Sequence, residues 1–250
     1  MTLLIELDDV AVTYGTGDRA VRALDGVRLR VDAGERVALL GPSGAGKTTL
    51  LRVLAGRVRP SSGRATVLGH DVTRLGERSA RPVRRRIGTV HQDLALTGSL
   101  RVLHNVNGGR LGGWSTWRAL ASLVVPQGRP EVEAALAAVD AGGLADARTD
   151  DLSGGQRQRV AIARLLVQDP DVVLADEPAA GLDPELGRMA VSLLSERVAA
   201  PGRALVMSIH DPALAVAHCD RIVGLRAGRV TFDRPAAAVG RDDLAALYRR

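Results

Sequence analysis

Lysine is almost missing from this chain: of its 34 basic side chains one, Lys47, is lysine and the rest are arginine. Cysteine is just as sparse. The single Cys219 excludes an intrachain disulfide framework and fits a reducing compartment, where a lone thiol serves as a small core side chain. Aromatic residues make up 2%, so the core has to be assembled from Leu, Val, Ala and Ile, and each of the two Tyr, two Trp and one Phe calls for its own explanation. No apolar run approaches the roughly 20 residues that span a bilayer. The opening MTLLIELDDV carries Glu6, Asp8 and Asp9 where a secretory signal would need an apolar stretch. Service at a membrane would therefore be from outside the lipid.

What is present suits one globular unit. The 250 residues are 46% hydrophobic and 25% charged, ordinary for a folded domain, and there are no repeats or low-complexity tracts. A net charge of +6 suits an anionic partner, whether nucleotide, nucleic acid or membrane surface, without choosing among them. From Leu3 to Leu40 the pattern is strand-rich: LLIELDDVAVTY, an alternating VRLRVDAG, then RVALL, apolar throughout and so buried on both faces. A glycine-rich turn and the helical KTTLLRVLAG follow RVALL at once, the order of a parallel βαβ unit. Further apolar runs end at Gln92, Asp176 and His210, and read as strands of the same sheet. Ligands of such sheets sit beyond the carboxyl ends of the strands, where these three residues fall. Between Gln92 and Asp150 short helical segments broken by Gly and Pro indicate an insert, and RDDLAALYRR closes the sequence as a short amphipathic helix.

The stretch Gly41-Pro42-Ser43-Gly44-Ala45-Gly46-Lys47-Thr48, followed by Thr49, is a complete G-x-x-x-x-G-K-[ST] phosphate loop. Its glycines let backbone N–H groups face phosphates, the helix N-terminus adds a favourable dipole, and Thr48 can hold Mg²⁺. Here lysine has work that arginine cannot do: a compact ammonium on a slim stem fits inside the loop and reaches the β- and γ-phosphates, while a planar guanidinium is too broad. A plain strand-to-helix turn would need neither Lys47 nor Thr48. The loop alone leaves kinases, GTPases and ATPases open. VVLADEP adds Asp176 at a strand end as a partner for Mg²⁺ and Glu177 beside it to polarise an attacking water. Leu152-Ser153-Gly154-Gly155-Gln156 precedes RQRVAIARLLV. Ser153 and Gln156 are explained as a capping box, but two consecutive glycines in a first helical turn make sense if the backbone closely approaches an anion.

Together these segments resemble the ATP-binding subunits of ABC transporters over nearly the whole chain. The resemblance implies an α/β P-loop NTPase fold of the ABC type, with a mostly parallel sheet core, an antiparallel β lobe and a helical insert. It implies a single nucleotide-binding domain over 1–250, with 1–92 and 151–250 as the core lobe and 93–150 as the insert. It makes LSGGQ the family signature, places Gln92 in the Q-loop as a ligand of Mg²⁺, and identifies Asp183 as the D-loop aspartate, His210 as the switch histidine and Tyr14 as the aromatic that stacks on adenine. DEPAAGLD departs from the usual wording, with Ala179 and Gly181 where threonine and serine are common, which touches loop stiffness rather than chemistry. ATP and Mg²⁺ are the implied cofactors. The implied assembly is a head-to-tail homodimer in which the phosphate loop of one subunit and the signature of the other enclose each ATP. Two permease subunits dock beside the Q-loop and insert, and a substrate-binding protein takes part indirectly. The implied place is the cytoplasmic face of the bacterial inner membrane.

Three functions compete: the ATPase of an importer, the ATPase of an export or lipoprotein-release system, and a soluble ABC ATPase acting on nucleic acid. The last usually carries paired nucleotide domains or long coiled-coil inserts, and this sequence has no heptad run, so no nucleic acid partner is expected. RVLHNVNGGRLGGWSTWRALASLVVP, with Trp114 and Trp117, and IHDPALAVAHCDRIVGLRAGRV resemble the ATP-binding subunits of phosphonate importers, which implies a phosphonate or related phosphorus oxyanion as cargo. Arg81, Arg84, Arg85 and Arg86 read as a solvated basic face, with a lipid or partner contact as the alternative. The other histidines, His70, His91, His104 and His218, lack metal-ligand spacing with the cysteine.

Overall fold

In a computed structural model, residues 2–91, 93–115, 117, 120–122, 127–198 and 202–249 are described. The strand β3 (Arg36–Leu40) lies at the centre, and Val37, Ala38, Leu39 and Leu40 are fully buried. Neighbours along a strand point to opposite faces, and the two faces of β3 feed two cores. Val37 and Leu39 pack with Leu50 and Leu54 of α1 (Lys47–Leu54) and with the apolar side chains of an antiparallel lobe. Ala38 and Leu40 pack on the other side with Val102, Leu136, Val160 and Ile162, all from helices. Covering both faces is what an uninterrupted apolar strand requires.

Around β3 lie β6 (Ile87–Val90), β7 (Val172–Asp176), β8 (Ala204–Ser208), β9 (Arg221–Arg226) and β10 (Arg229–Pro235), in the order β10-β9-β3-β8-β7-β6. All pairings are parallel except β9 with β10. A second sheet, β2-β1-β4-β5, is antiparallel and joins β1 (Leu3–Tyr14), β2 (Val21–Asp32), β4 (Ser62–Val67) and β5 (His70–Asp71). The α/β class, the mostly parallel core and the antiparallel lobe are as the sequence implies. The hairpin β9–β10 and the strands β4 and β5 are additions to that reading.

After β4 and β5 the chain forms α2 (Glu77–Arg85) and β6. Between β6 and β7 the described residues are helical: α3 (Val102–Asn107), a 3-10 turn over Gly108–Gly113, α4 (Arg129–Ala138) and α5 (Gly154–Gln168). Beyond β7 come α6 (Pro184–Arg197), α7 (Pro212–His218) and α8 (Arg241–Tyr248). Among the described residues no helix is long and apolar enough to cross a membrane. Trp114 is buried and so explained by packing, while Trp117 is 82% exposed and is not. Cys219 is buried in the helical core, and burial pushes its thiol up to about 12, consistent with an inert core side chain.

Candidate active site

Parallel strands β3, β7 and β8 run side by side, so the segments that leave their carboxyl ends meet at one edge. Leaving β3, the backbone turns under tight steric limits. A Cβ on Gly41 would lie 2.1 Å from the carbonyl oxygen of Leu225, and one on Gly46, which caps α1 with φ of 105°, would lie 2.5 Å from the carbonyl oxygen of Ala23. Only glycine fits either place. Lys47 opens α1 and is buried, its Nζ donating to the carbonyls of Gly41 (2.7 Å) and Pro42 (3.2 Å). Burial pulls its pKa below the ordinary lysine value, partly opposed by the carboxylates of Glu177 and Asp176.

Asp176 ends β7 opposite Ser208 of β8, and this register builds a small network. The Ser208 hydroxyl donates to Asp176 Oδ1 at 2.8 Å and accepts from the backbone N–H of Glu177 at 2.9 Å. Glu177 sits in the left-handed region, φ 52°, a conformation that costs a non-glycine residue about 1 kcal/mol. The hydrogen bond from its amide to Ser208 helps to hold it there. The carboxylate so directed accepts from His210: Nε2 to Oε1 is 2.5 Å. Glu177, His210 and residues Ser43 to Thr49 line a common cleft of about 460 Å³, with Ala23 at its side. Thr48 and Asp176 also line a neighbouring cleft of about 490 Å³ with Arg52, Arg57, His91, Asp93 and Ala95. Hydroxyl and carboxylate oxygens are the hard donors that Mg²⁺ takes, with water and phosphate completing its shell, so the residues present fit that ion. Among the described residues no cluster of three or more His, Cys, Asp or Glu could hold a metal by itself.

The sequence-expected residues divide into those this edge assembles and those it does not. Lys47, Thr48, Asp176, Glu177 and His210 come together. Gln92 lies outside the described residues. Ser153 and Gln156 form a reciprocal capping box on α5, Gln156 N–H to Ser153 Oγ at 3.2 Å and Ser153 N–H to Gln156 Oε1 at 2.9 Å. Gly154 is exposed, with open space where a side chain would be, and none of Ser153 to Gln156 lines the phosphate-loop cleft. Asp183 caps α6, its Oδ1 accepting from the N–H groups of Glu185 and Leu186, both at 3.0 Å. Tyr14 is exposed at the end of β1, opposite Val21, and does not line that cleft.

Two residues escaped the sequence reading, and a third was weighed there only as a metal ligand. Ser208 is the first; its only signal is a hydroxyl inside the apolar run ALVMSIH, two residues before His210. Arg164 of α5 is the second, with one guanidinium N–H on the Ala95 carbonyl (2.7 Å) and another on that of Leu94 (2.9 Å). Leu94 and Ala95 both have positive φ, a turn that Arg164 holds from beneath. His91 is the third: its Nε2 is buried with no hydrogen-bond partner among the described residues, and burial with nearby Arg57 lowers its pKa. The basic cluster is only partly a solvated face. Arg86 pairs with Asp171 at 2.5 Å and Arg84 donates to the Gly56 carbonyl. Arg81, Arg84 and Arg85 join Arg57 and Arg164 around a groove of about 680 Å³ whose lining, among the described residues, contains no carboxylate.

A strand, a phosphate loop, a strand-end Asp-Glu pair and a histidine just past the end of the neighbouring strand define a nucleoside triphosphatase of the P-loop class. Residues 24–180 match the ABC transporter family, and the chain belongs to it. It is 48% identical to the phosphonates import ATP-binding protein PhnC 2 of Pseudomonas aeruginosa, over 98% of this chain and 90% of that protein. To PhnC of Alcaligenes faecalis it is 42% identical, over 98% of this chain and 88% of that one. Among solved structures, the dimeric bacterial ABC transporter cassette MJ0796 superposes with a TM-score of 0.83 at 30% identity, over 93% of this chain and 99% of that one. A post-hydrolysis dimer of MJ0796 bound to ADP and Pi gives 0.81 at 30% identity and the same coverage. The chain is thus an ATP-hydrolysing subunit of the ABC type.

Proposed function

We propose that this protein hydrolyses ATP to drive a phosphonate importer at the cytoplasmic face of a bacterial inner membrane, and that it works as a head-to-tail homodimer. The observation that carries the dimer is the separation of two half-sites: the phosphate-loop cleft contains Glu177 and His210 but nothing of the signature at Ser153 to Gln156, whose Ser153 and Gly154 are exposed. A second copy supplies the missing half. Backbone N–H groups from Ser43 to Thr49 then receive the phosphates, and Lys47 exchanges the Gly41 and Pro42 carbonyls for phosphate oxygens. Thr48, Asp176 and Gln92 are the residues that hold Mg²⁺, which neutralises charge on the β- and γ-phosphates when bound. Tyr14 stacks on adenine. Glu177 takes the proton of the attacking water, and His210, already 2.5 Å from that carboxylate, fixes its orientation. Asp183, at the start of α6, and the partner's signature close over the γ-phosphate.

The core lobe, 1–92 and 151–250, carries this chemistry, and the insert, 93–150, faces the permease. The acid-free groove between them supports docking of a permease loop that brings acidic side chains to Arg57, Arg81, Arg84 and Arg85. From the groove, Arg57, His91 and Ala95 lead to the cleft that holds Thr48 and Asp176, a short route from partner to ATP site. Cargo rests on the similarity to PhnC proteins, since an ATPase does not touch what is carried. Its test is reconstitution with the cognate permease and binding protein in vesicles. Loading the binding protein with an alkylphosphonate should raise ATP turnover severalfold. Stimulation by an amino acid, sugar or metal alone would refute the cargo and leave the ATPase reading standing.

A further inference from the structure

Helix α5 touches both halves of the composite site. The signature residues Gly154 to Gln156 form its first turn, and Gln158 lies about 7.5 Å beyond Ser153 along the axis. The side chain of Gln158 is buried and reaches the turn after β7, where its Nε2 donates to the Pro178 carbonyl at 2.6 Å. Pro178, also buried, follows Glu177 directly. Proline has no N–H, so the turn cannot be anchored through that amide, and its carbonyl is the group left to hold. Glu177 is thus fixed on both sides, its own N–H by Ser208 at 2.9 Å and the next carbonyl by Gln158. The first turn of α5 also packs on the segment that carries Asp183: a Cβ on Gly155 would lie 3.3 Å from the Leu186 side chain and 3.9 Å from that of Leu182. A helix moves as a rigid element over one or two turns, so a displacement at the signature end carries Gln158 and the Pro178 carbonyl with it.

We infer that Gln158 is a positioning residue that couples the two ATP sites, tying the helix whose signature serves the partner's nucleotide to the turn that carries this chain's own Glu177, a role that presupposes the head-to-tail dimer. Engagement of the signature by one ATP then sets the glutamate that attacks the other. Gln158→Met in the full chain keeps an unbranched side chain of similar length and removes the donor. Wild type should hydrolyse ATP with a Hill coefficient above about 1.5, toward the limit of two that two sites allow. Gln158→Met should bring the coefficient to about 1 and lower kcat about fivefold, the rate equivalent of one lost hydrogen bond. ADP affinity by calorimetry should stay within about twofold of wild type, since Gln158 does not line the phosphate-loop cleft. Leu247→Ala controls for lost stability: it removes a fully buried side chain of the helical core, and it should lower the melting temperature while leaving the Hill coefficient as in wild type. A Hill coefficient in Gln158→Met equal to that of wild type would overturn the coupling. So would an equal fall in Leu247→Ala, or a wild-type coefficient of one from a pair that does form. Failure of Glu177→Gln to pair in the presence of ATP would refute the dimer instead.

Discussion

Lys47 is the residue where sequence and geometry meet most directly. Both of its carbonyl partners lie within the loop it belongs to, and it is buried among backbone atoms too close for a guanidinium. Lys47→Arg should therefore fail nearly as completely as Lys47→Ala, with turnover down at least ~100-fold, as expected when a group acting on the transferring phosphoryl is lost. A steady-state phosphate-release assay checks it, and near-normal turnover in the arginine variant would contradict the steric account. Lys47, Thr48, Asp176 and Glu177 were legible because each belongs to a short motif whose spacing is dictated by phosphate and metal chemistry. Ser208 was not, since its partners Asp176 and Glu177 are reached only through strand register, 31 to 32 positions away. Arg164 was hidden for the same reason, bonding across 69 and 70 positions.

At the level of elements, the buried parallel strands announce themselves as unbroken apolar runs, and RVALL, DVVLAD and ALVMSIH are where they were expected. The edge hairpin β9–β10 is less visible because its outer strand alternates and its inner strand contains Gly224. That glycine has a reason that the fold supplies. A Cβ there would lie 2.4 Å from the ring of Phe232, the residue opposite on β10, so the only phenylalanine packs where a side chain is missing. The insert is joined to α5 by Arg164, and this element contact can be tested. Arg164→Ala leaves the Leu94 and Ala95 carbonyls without their donor and should cost about 2–3 kcal/mol. Urea denaturation monitored by circular dichroism measures it, and a loss under about 0.5 kcal/mol would mean that the 94–95 turn holds itself.

For the whole molecule, the dimer makes a sharper demand than any single site. Glu177→Gln keeps shape and charge-independent contacts but cannot take a proton, so ATP should bind, hydrolysis should fall by at least ~100-fold, and the closed pair should accumulate. Size-exclusion chromatography with ATP should show a shift from one copy to two. A monomer at saturating ATP would argue against the composite site. The pairing was legible only through likeness to a family: nothing in one chain's spacing says that its signature serves another chain, and within one chain Ser153 and Gln156 are fully accounted for as a helix cap.

The scarcity of lysine also turns the phosphate loop into its own reporter. A protease that cuts only after lysine has one bond to cleave in all 250 residues, Lys47–Thr48, and that bond lies inside the loop with Lys47 buried. Cleavage by such an enzyme would measure how often the loop opens, since proteolysis of a folded chain proceeds through local unfolding. ATP should slow the appearance of the fragments 1–47 and 48–250. Cutting at an unchanged rate with and without saturating nucleotide would show that opening of the loop is independent of the ligand it is built to hold.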